Sequence, residues 1–248
     1  MRPFNQFFSI LQVIIAIFLA GCVTVYNPAT GKKEIYFITD NMEMMIGKNI
    51  ATDILTKNKA VKDEELISYI NELGRRIALV SDRNYLKYEF YILDNKEINA
   101  FALPGGFVFV NKGLIKKVDK EELAFVLGHE IGHICARHSI KRLQASLGIS
   151  IILSLALKNP DYELTRRAIN IIYEVISLGY SRKDELLADS LGVKYMKKAG
   201  FNPQKAISLL EKLKKEEKND FTLIFLRSHP PIKERIKNIQ KSVNSLNN

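Results

Sequence analysis

The segment His129-Glu130-Ile131-Gly132-His133 carries two histidines at positions i and i+4, with a glutamate directly after the first. On a helix that spacing stacks both imidazoles on one face. Two such imidazoles can chelate one Zn2+, and Glu130, one step round, reaches a water on that ion. The chemistry this set performs is hydrolysis, with the carboxylate as general base. A catalytic zinc needs a third protein ligand and one open position. His138 lies nine residues beyond His129, and at about 100° per residue on a continuing helix it points away from the pair. Position 139 is Ser, so the extended HExxHxxGxxH motif is absent. A distant carboxylate or histidine must serve. Glu185 and Asp189 stand four apart in Ser181-Arg182-Lys183-Asp184-Glu185-Leu186-Leu187-Ala188-Asp189. Glu185 is a candidate ligand, and Asp189 a candidate acceptor for the outer N–H of a ligand histidine. A pair at that spacing equally suits a solvated helix face.

These groups need elements to hold them. Asp119 with Glu122 forms a capping-box pattern, which predicts a helix from there to about Leu147. Leu123, Phe125, Val126, Leu127 and Ile131 give that helix a core-facing surface. Asp40 with Glu43 makes a similar pattern for a helix towards Lys59, and another helix follows Asp63, with Leu66, Ile70, Leu73, Ile77 and Val80 at spacings of 3 and 4. Short strands are predicted at Glu34–Ile38, Leu86–Leu93 and within Ala100–Val110, where Pro104-Gly105-Gly106 interrupts the run. Further helices are expected over Asp161–Leu178, Ser181–Ala199, Pro203–Glu217 and Ile232–Val243. Ile149–Leu157 is apolar but too short to span a bilayer. The fold class is α+β, mostly helical, with a small sheet beside the helix that carries the histidines.

The 248 residues are 47% hydrophobic and 26% charged, which excludes a disordered, collagen-like or coiled-coil chain. The formal charge is +10. Basic residues are spread along the chain and not interleaved with aromatics, so no nucleic-acid partner is expected. Two cysteines, Cys22 and Cys135, make no disulfide scaffold. At the N-terminus Arg2 precedes the apolar run Ile10–Leu19, and Leu19-Ala20-Gly21-Cys22 follows. That order reads as a secretory signal ending in a lipobox, with residues 1–21 removed and Cys22 lipidated. Residue 23 is Val, not Asp, which favours the outer membrane where a cell has two. Residues 22–248 then form a single domain, anchored to the membrane by lipid, and Cys135 is left as a small buried apolar residue.

Several stretches together resemble one family. Asn27-Pro28-x-Thr30-Gly31, Asn99-Ala100-Phe101-Ala102-Leu103-Pro104-Gly105-Gly106, Leu127-Gly128-His129-Glu130-Ile131-Gly132-His133 with Arg137-His138-Ser139, Ser181-Arg182-x-x-Glu185-x-x-Ala188-Asp189, and His229-Pro230-Pro231 with Glu234-Arg235-Ile236 occur in family order. The chain is similar to the gluzincin peptidases that include HtpX, the mitochondrial Oma-type protease and the CAAX prenyl protease. Within them it looks most like the bacterial outer-membrane lipoprotein members, of the LoiP and BepA kind. The resemblance implies a zincin-type metalloprotease domain with one Zn2+ held by His129, His133 and Glu185. It implies Glu130 as general base and Asp189 as the partner of a ligand histidine. It places Asn99, Ala100, Phe101 and Ala102 along the substrate cleft, where a backbone strand would pair with an extended substrate. It also puts His229 near the ion, as an oxyanion donor or a reversible fourth ligand. The donor role is the first choice, with Arg182 as the alternative donor and a purely structural histidine as the remaining reading.

The expected substrates are unfolded or misassembled envelope proteins facing the periplasm. The competing class is a non-hydrolytic envelope lipoprotein that keeps zinc for stability or acts as a chaperone. Glu130 separates the two, because a structural zinc has no use for that carboxylate and is closed by a fourth Cys or His. A membrane-embedded prenyl-processing enzyme is disfavoured by the lack of a long apolar run in residues 22–248.

Overall fold

The computed structural model describes residues 23–146, 162–215, 229 and 232–247. The signal segment, Cys22, Ile149–Leu157, residues 216–228 and Pro230-Pro231 lie outside the described residues.

The chain opens with an antiparallel hairpin, β1 (Val23–Asn27) and β2 (Lys32–Tyr36), paired from Val23↔Tyr36 to Asn27↔Lys32. The turn cluster at 27–31 closes it, with the Ala29 N–H donating to Asn27 Oδ1 over 3.0 Å. Helix α1 (Asp40–Lys57) follows, but its cap is Thr39, whose hydroxyl accepts from the Met42 N–H. The expected Asp40–Glu43 capping box does not form. Both carboxylates instead turn to Arg83, and Glu43 is buried. Helix α2 (Glu64–Ala78) follows Asp63 as the sequence predicts, with Asp63 as its cap, and buries Ile70, Leu73 and Ile77.

A three-stranded sheet comes next, in the order β3 (Glu89–Leu93), β5 (Phe107–Asn111), β4 (Ala100–Leu103). Central β5 is parallel to β3, antiparallel to β4 and buried throughout. A 3-10 turn, Pro104–Gly106, folds β4 back onto β5. Gly105 there has φ 79° and packs so closely that a Cβ would meet the Met44 Cα at 2.5 Å. Strand β1, directly after Cys22, is not among the strands the sequence predicts.

After the short α3 (Lys112–Ile115) comes the central helix α4 (Lys120–Cys135). Its capping box is complete: the Glu122 N–H donates to Asp119 Oδ1 (2.8 Å) and the Asp119 N–H to Glu122 Oε2 (3.0 Å). Every residue from Glu122 to Cys135 is buried. The helix does not run on to Leu147. It stops at Cys135, Arg137 adopts φ 56°, and a new helix α5 is described over 138–146.

Helices α6 (Tyr162–Leu178), α7 (Arg182–Lys198, capped by Ser181), α8 (Gln204–Lys215) and α9 (Ile232–Asn247) complete the described chain. The main core joins α2, the sheet, α4 and α7–α9, and a second apolar cluster joins α1, β5, α5 and α6. The α4–α7 crossing is close because it is made of small residues. A Cβ at Gly192 would lie 2.9 Å from the His129 amide nitrogen, and one at Gly132 3.1 Å from the Ala188 carbonyl. Among the described residues no helix is long and apolar enough to cross a membrane.

Candidate active site

Helix α4 presents His129, Glu130 and His133 on its buried middle, and the glycine-lined crossing brings Glu185 and Asp189 of α7 against them. His229 enters from the segment before α9. One potential ligand atom from each of His129, His133, Glu185 and His229 lies within 4.8 Å of the others, and all four residues are buried. His129 Nε2 and His133 Nε2 are 3.0 Å apart. Glu185 places one oxygen 3.5 Å from His129 Nε2 and the other 3.4 Å from His133 Nε2. Ligands about 2.0 Å from a tetrahedral zinc stand roughly 3.3 Å from one another, so this donor set fits the ion.

The electrostatics fit as well. Burial pushes His129 down to about 3, which keeps its imidazole neutral as a metal ligand must be. Burial alone would raise Glu185, yet His229, His133 and Arg235 hold it well below the usual carboxylate range. Glu130 differs. Burial raises it, and neither of its carboxylate oxygens has a hydrogen-bond partner. A buried carboxylate without a hydrogen bond, beside three metal donors, is the arrangement a general base requires before water and substrate enter. His229 Nδ1 lies 3.0 Å from Glu185 Oε1 and 3.3 Å from His129 Nε2, and its Nε2 lies 3.7 Å from Glu130 Oε1. Burial opposes its protonation, while the charges of Glu185 and Glu130 raise it above the ordinary value.

The outer faces of the rings are also held. His129 Nδ1 is 2.9 Å from Asp189 Oδ1, and Asp189 receives two hydrogen bonds from Arg235. The Arg235 Nη1 donates to the His229 carbonyl over 2.9 Å, so one fully buried guanidinium ties both segments together. On the far side of His133, Tyr180 stacks on the ring with centroids 4.0 Å apart. In the sequence Arg235 stands out only within the Glu234-Arg235-Ile236 motif, and Tyr180 carries no local signal beyond preceding the α7 cap. Arg182, the alternative donor, is the exposed first residue of α7, whereas His229 is buried among the donor atoms.

Strand β4 contains Ala100, Phe101 and Ala102, with Asn99 just before it. Among the described strands it pairs on one side only, with β5, and it packs against α4. Phe101 stacks on Phe109 of β5 at 5.1 Å, and Asn99 Oδ1 is buried without a hydrogen-bond partner. Cys135 is a free, fully buried thiol facing the Tyr88 hydroxyl.

Comparison with known proteins agrees with this geometry. The chain is 35% identical over 177 residues to the mitochondrial metalloendopeptidase OMA1 of Schizosaccharomyces pombe, covering 70% of this chain and 52% of that one. It is 33% identical over 186 residues to the beta-barrel assembly-enhancing protease of Escherichia coli, covering 69% and 37%. Against the Escherichia coli metalloprotease YcaL the identity is 27% over 236 residues, covering 87% and 92%. The match thus spans about half or less of the first two relatives. The pattern of Peptidase family M48 fits residues 63–243, a stretch that holds the paired histidines, Glu185, Asp189, His229 and Arg235. On that match the chain belongs to Peptidase family M48, a family of zinc metallopeptidases.

Proposed function

We propose that this chain is a zinc-dependent endopeptidase of the bacterial envelope that cleaves unfolded or misassembled envelope proteins. The observation that carries the reading is Glu130, a buried carboxylate with no hydrogen-bond partner beside three convergent metal donors. His129, His133 and Glu185 would hold one Zn2+ per chain, with Asp189 orienting His129. Zinc bound there would acidify a water and polarise the scissile carbonyl. Glu130 takes the proton from the attacking water and later delivers it to the leaving amine. Its upward shift by burial suits a group that must both accept and return a proton.

The edge of β4 that pairs with no described strand binds substrate as an added strand, its backbone groups pairing with the peptide. Recognition of that kind reads backbone more than side chains, which suits unfolded clients. The name of the Escherichia coli beta-barrel assembly-enhancing protease supports envelope proteins as the class. The Leu19-Ala20-Gly21-Cys22 sequence supports residues 1–21 as a lipoprotein signal, Cys22 as the lipid-bearing residue and 22–248 as one peptidase domain at the outer membrane.

The test is Glu130→Gln. The variant keeps its fold and about one zinc per chain, and loses casein hydrolysis by at least about a hundredfold. Activity within a few-fold of wild type would mean that Glu130 is not the base and would favour the non-hydrolytic zinc lipoprotein.

A further inference from the structure

His129 has a carboxylate behind it and His133 does not. What stands behind His133 is His138, with the two Nδ1 atoms 2.8 Å apart and both rings buried. On an uninterrupted helix, five residues at about 100° each would put His138 roughly 140° round from His133. The contact exists because α4 ends at Cys135 and Arg137 takes the left-handed conformation, φ 56°.

That conformation is uncommon for a residue with a Cβ and needs external support. Arg137 has it. Its Nη2 donates to the Ile38 carbonyl at 2.6 Å and pairs with Glu43 Oε2 at 2.9 Å, and its guanidinium lies 4.0 Å over the Tyr36 ring. The new helix then starts at 138 with its first ring turned back on His133. Ser139, the next residue, joins the Tyr180 hydroxyl at 2.6 Å, and Tyr180 covers the flat face of His133. Stacking fixes the tilt of the ring but leaves its rotation free. A hydrogen bond at Nδ1 fixes the rotation.

The tautomers follow from the donor set. If His133 gives Nε2 to the metal, its neutral ring carries the proton on Nδ1. His138 Nδ1 must then accept, so His138 carries its own proton on Nε2. That nitrogen faces Asp184 Oδ1 at 3.4 Å. Asp184 sits in the first turn of α7, one residue before Glu185, so the outer side of His133 faces the helix that bears the third ligand, although His138 Nε2 makes no hydrogen bond there.

We infer that His138 is a positioning residue for the metal site: it accepts the Nδ1–H of His133 and holds Nε2 towards His129 and Glu185. The inference rests on the reading of His133 as a zinc ligand. Zinc affinity is measured by chelator competition on the full mature chain in a Glu130→Gln background, so that no hydrolysis enters the readout. His138→Phe weakens zinc about 10- to 100-fold. His138→Asn, whose amide oxygen accepts at the Nδ1 position, recovers to within a few-fold of the parent. An unchanged affinity in His138→Phe, or no recovery in His138→Asn, overturns the inference. A parent chain that binds no zinc would overturn the metal-site reading instead.

A second measurement needs no variant. The chain has four histidines, so nitrogen-15 spectra of the zinc-loaded protein are simple to assign. The expected pattern is a protonated His133 Nδ1 correlated across a hydrogen bond to an unprotonated His138 Nδ1. A protonated His138 Nδ1 would overturn the inference, even if both variants failed to fold.

Discussion

Arg235 grips Asp189 with two parallel hydrogen bonds, Nε to Oδ2 at 2.9 Å and Nη2 to Oδ1 at 2.8 Å, while Asp189 Oδ1 also meets His129 Nδ1 at 2.9 Å. Both residues are fully buried. A buried pair of this kind is expensive to break on one side, because the remaining charge has no water to turn to. Arg235→Met leaves both Asp189 and Glu185 facing an apolar side chain. It is expected to cost about 3–5 kcal/mol in urea unfolding of the zinc-free protein. Asp189→Asn keeps the volume but offers Arg235 and His129 one acceptor oxygen in place of two, and zinc affinity should fall about 10- to 100-fold. Retention of both stability and affinity in the two variants would show that the network does not hold the site.

The α4–α7 crossing supplies a prediction whose sign decides between two effects. By helix propensity alone Gly192→Ala should stabilise α7 by about 1 kcal/mol. The added Cβ, however, would sit 2.9 Å from the His129 backbone nitrogen, and neither atom belongs to a flexible side chain. The helices must separate, so a net loss of about 1–3 kcal/mol is expected in thermal or urea unfolding. Zinc affinity should fall with it, since Glu185 rides on the displaced helix. A more stable Gly192→Ala protein with normal zinc binding would mean that the close approach is not needed to assemble the site.

Local signals were legible in the chain. The complete Asp119–Glu122 box and the α2 apolar spacing after Asp63 depend on residues three or four apart, and each appears as expected. The same logic failed for Asp40 and Glu43, because Arg83, some forty residues away, binds them more strongly than a helix terminus does. It failed for His138 too. Periodicity carries the helix past Arg137, and only the contacts to Ile38, Glu43 and Tyr36 turn it left-handed. Within the candidate site only His129 and His133 have a spacing legible on its own; Glu185 and His229 gain their roles through the family resemblance. Arg235 and Tyr180 act through distance in space, which no local pattern encodes.

The N-terminal reading is tested by chemistry at one atom. Cys22→Ser removes the thiol that would carry the lipid, and the expected product is an unprocessed precursor that retains residues 1–21. Intact-mass analysis of wild type should show a diacylglyceryl-modified chain beginning at Cys22. An unmodified N-terminus at another position would sink the lipobox assignment without touching the peptidase reading.

His229 is the residue whose role has a sign. Its Nδ1 is as near to Glu185 and His129 as those two are to each other, at 3.0 and 3.3 Å against 3.5 Å. A donor set of four closes a tetrahedral zinc and leaves no position for substrate. A displaceable fourth ligand is therefore the reading to set against the oxyanion donor, and Arg235 holds the backbone carbonyl of His229 in either case. On this reading His229→Ala hydrolyses casein faster than wild type, or degrades itself, with zinc still bound by the other three. An oxyanion donor gives the opposite result, a fall in kcat of about 10²–10³ with zinc content unchanged. One activity assay with a parallel zinc determination separates the two, and equal activity in both proteins would reduce His229 to a packing residue beneath Arg235.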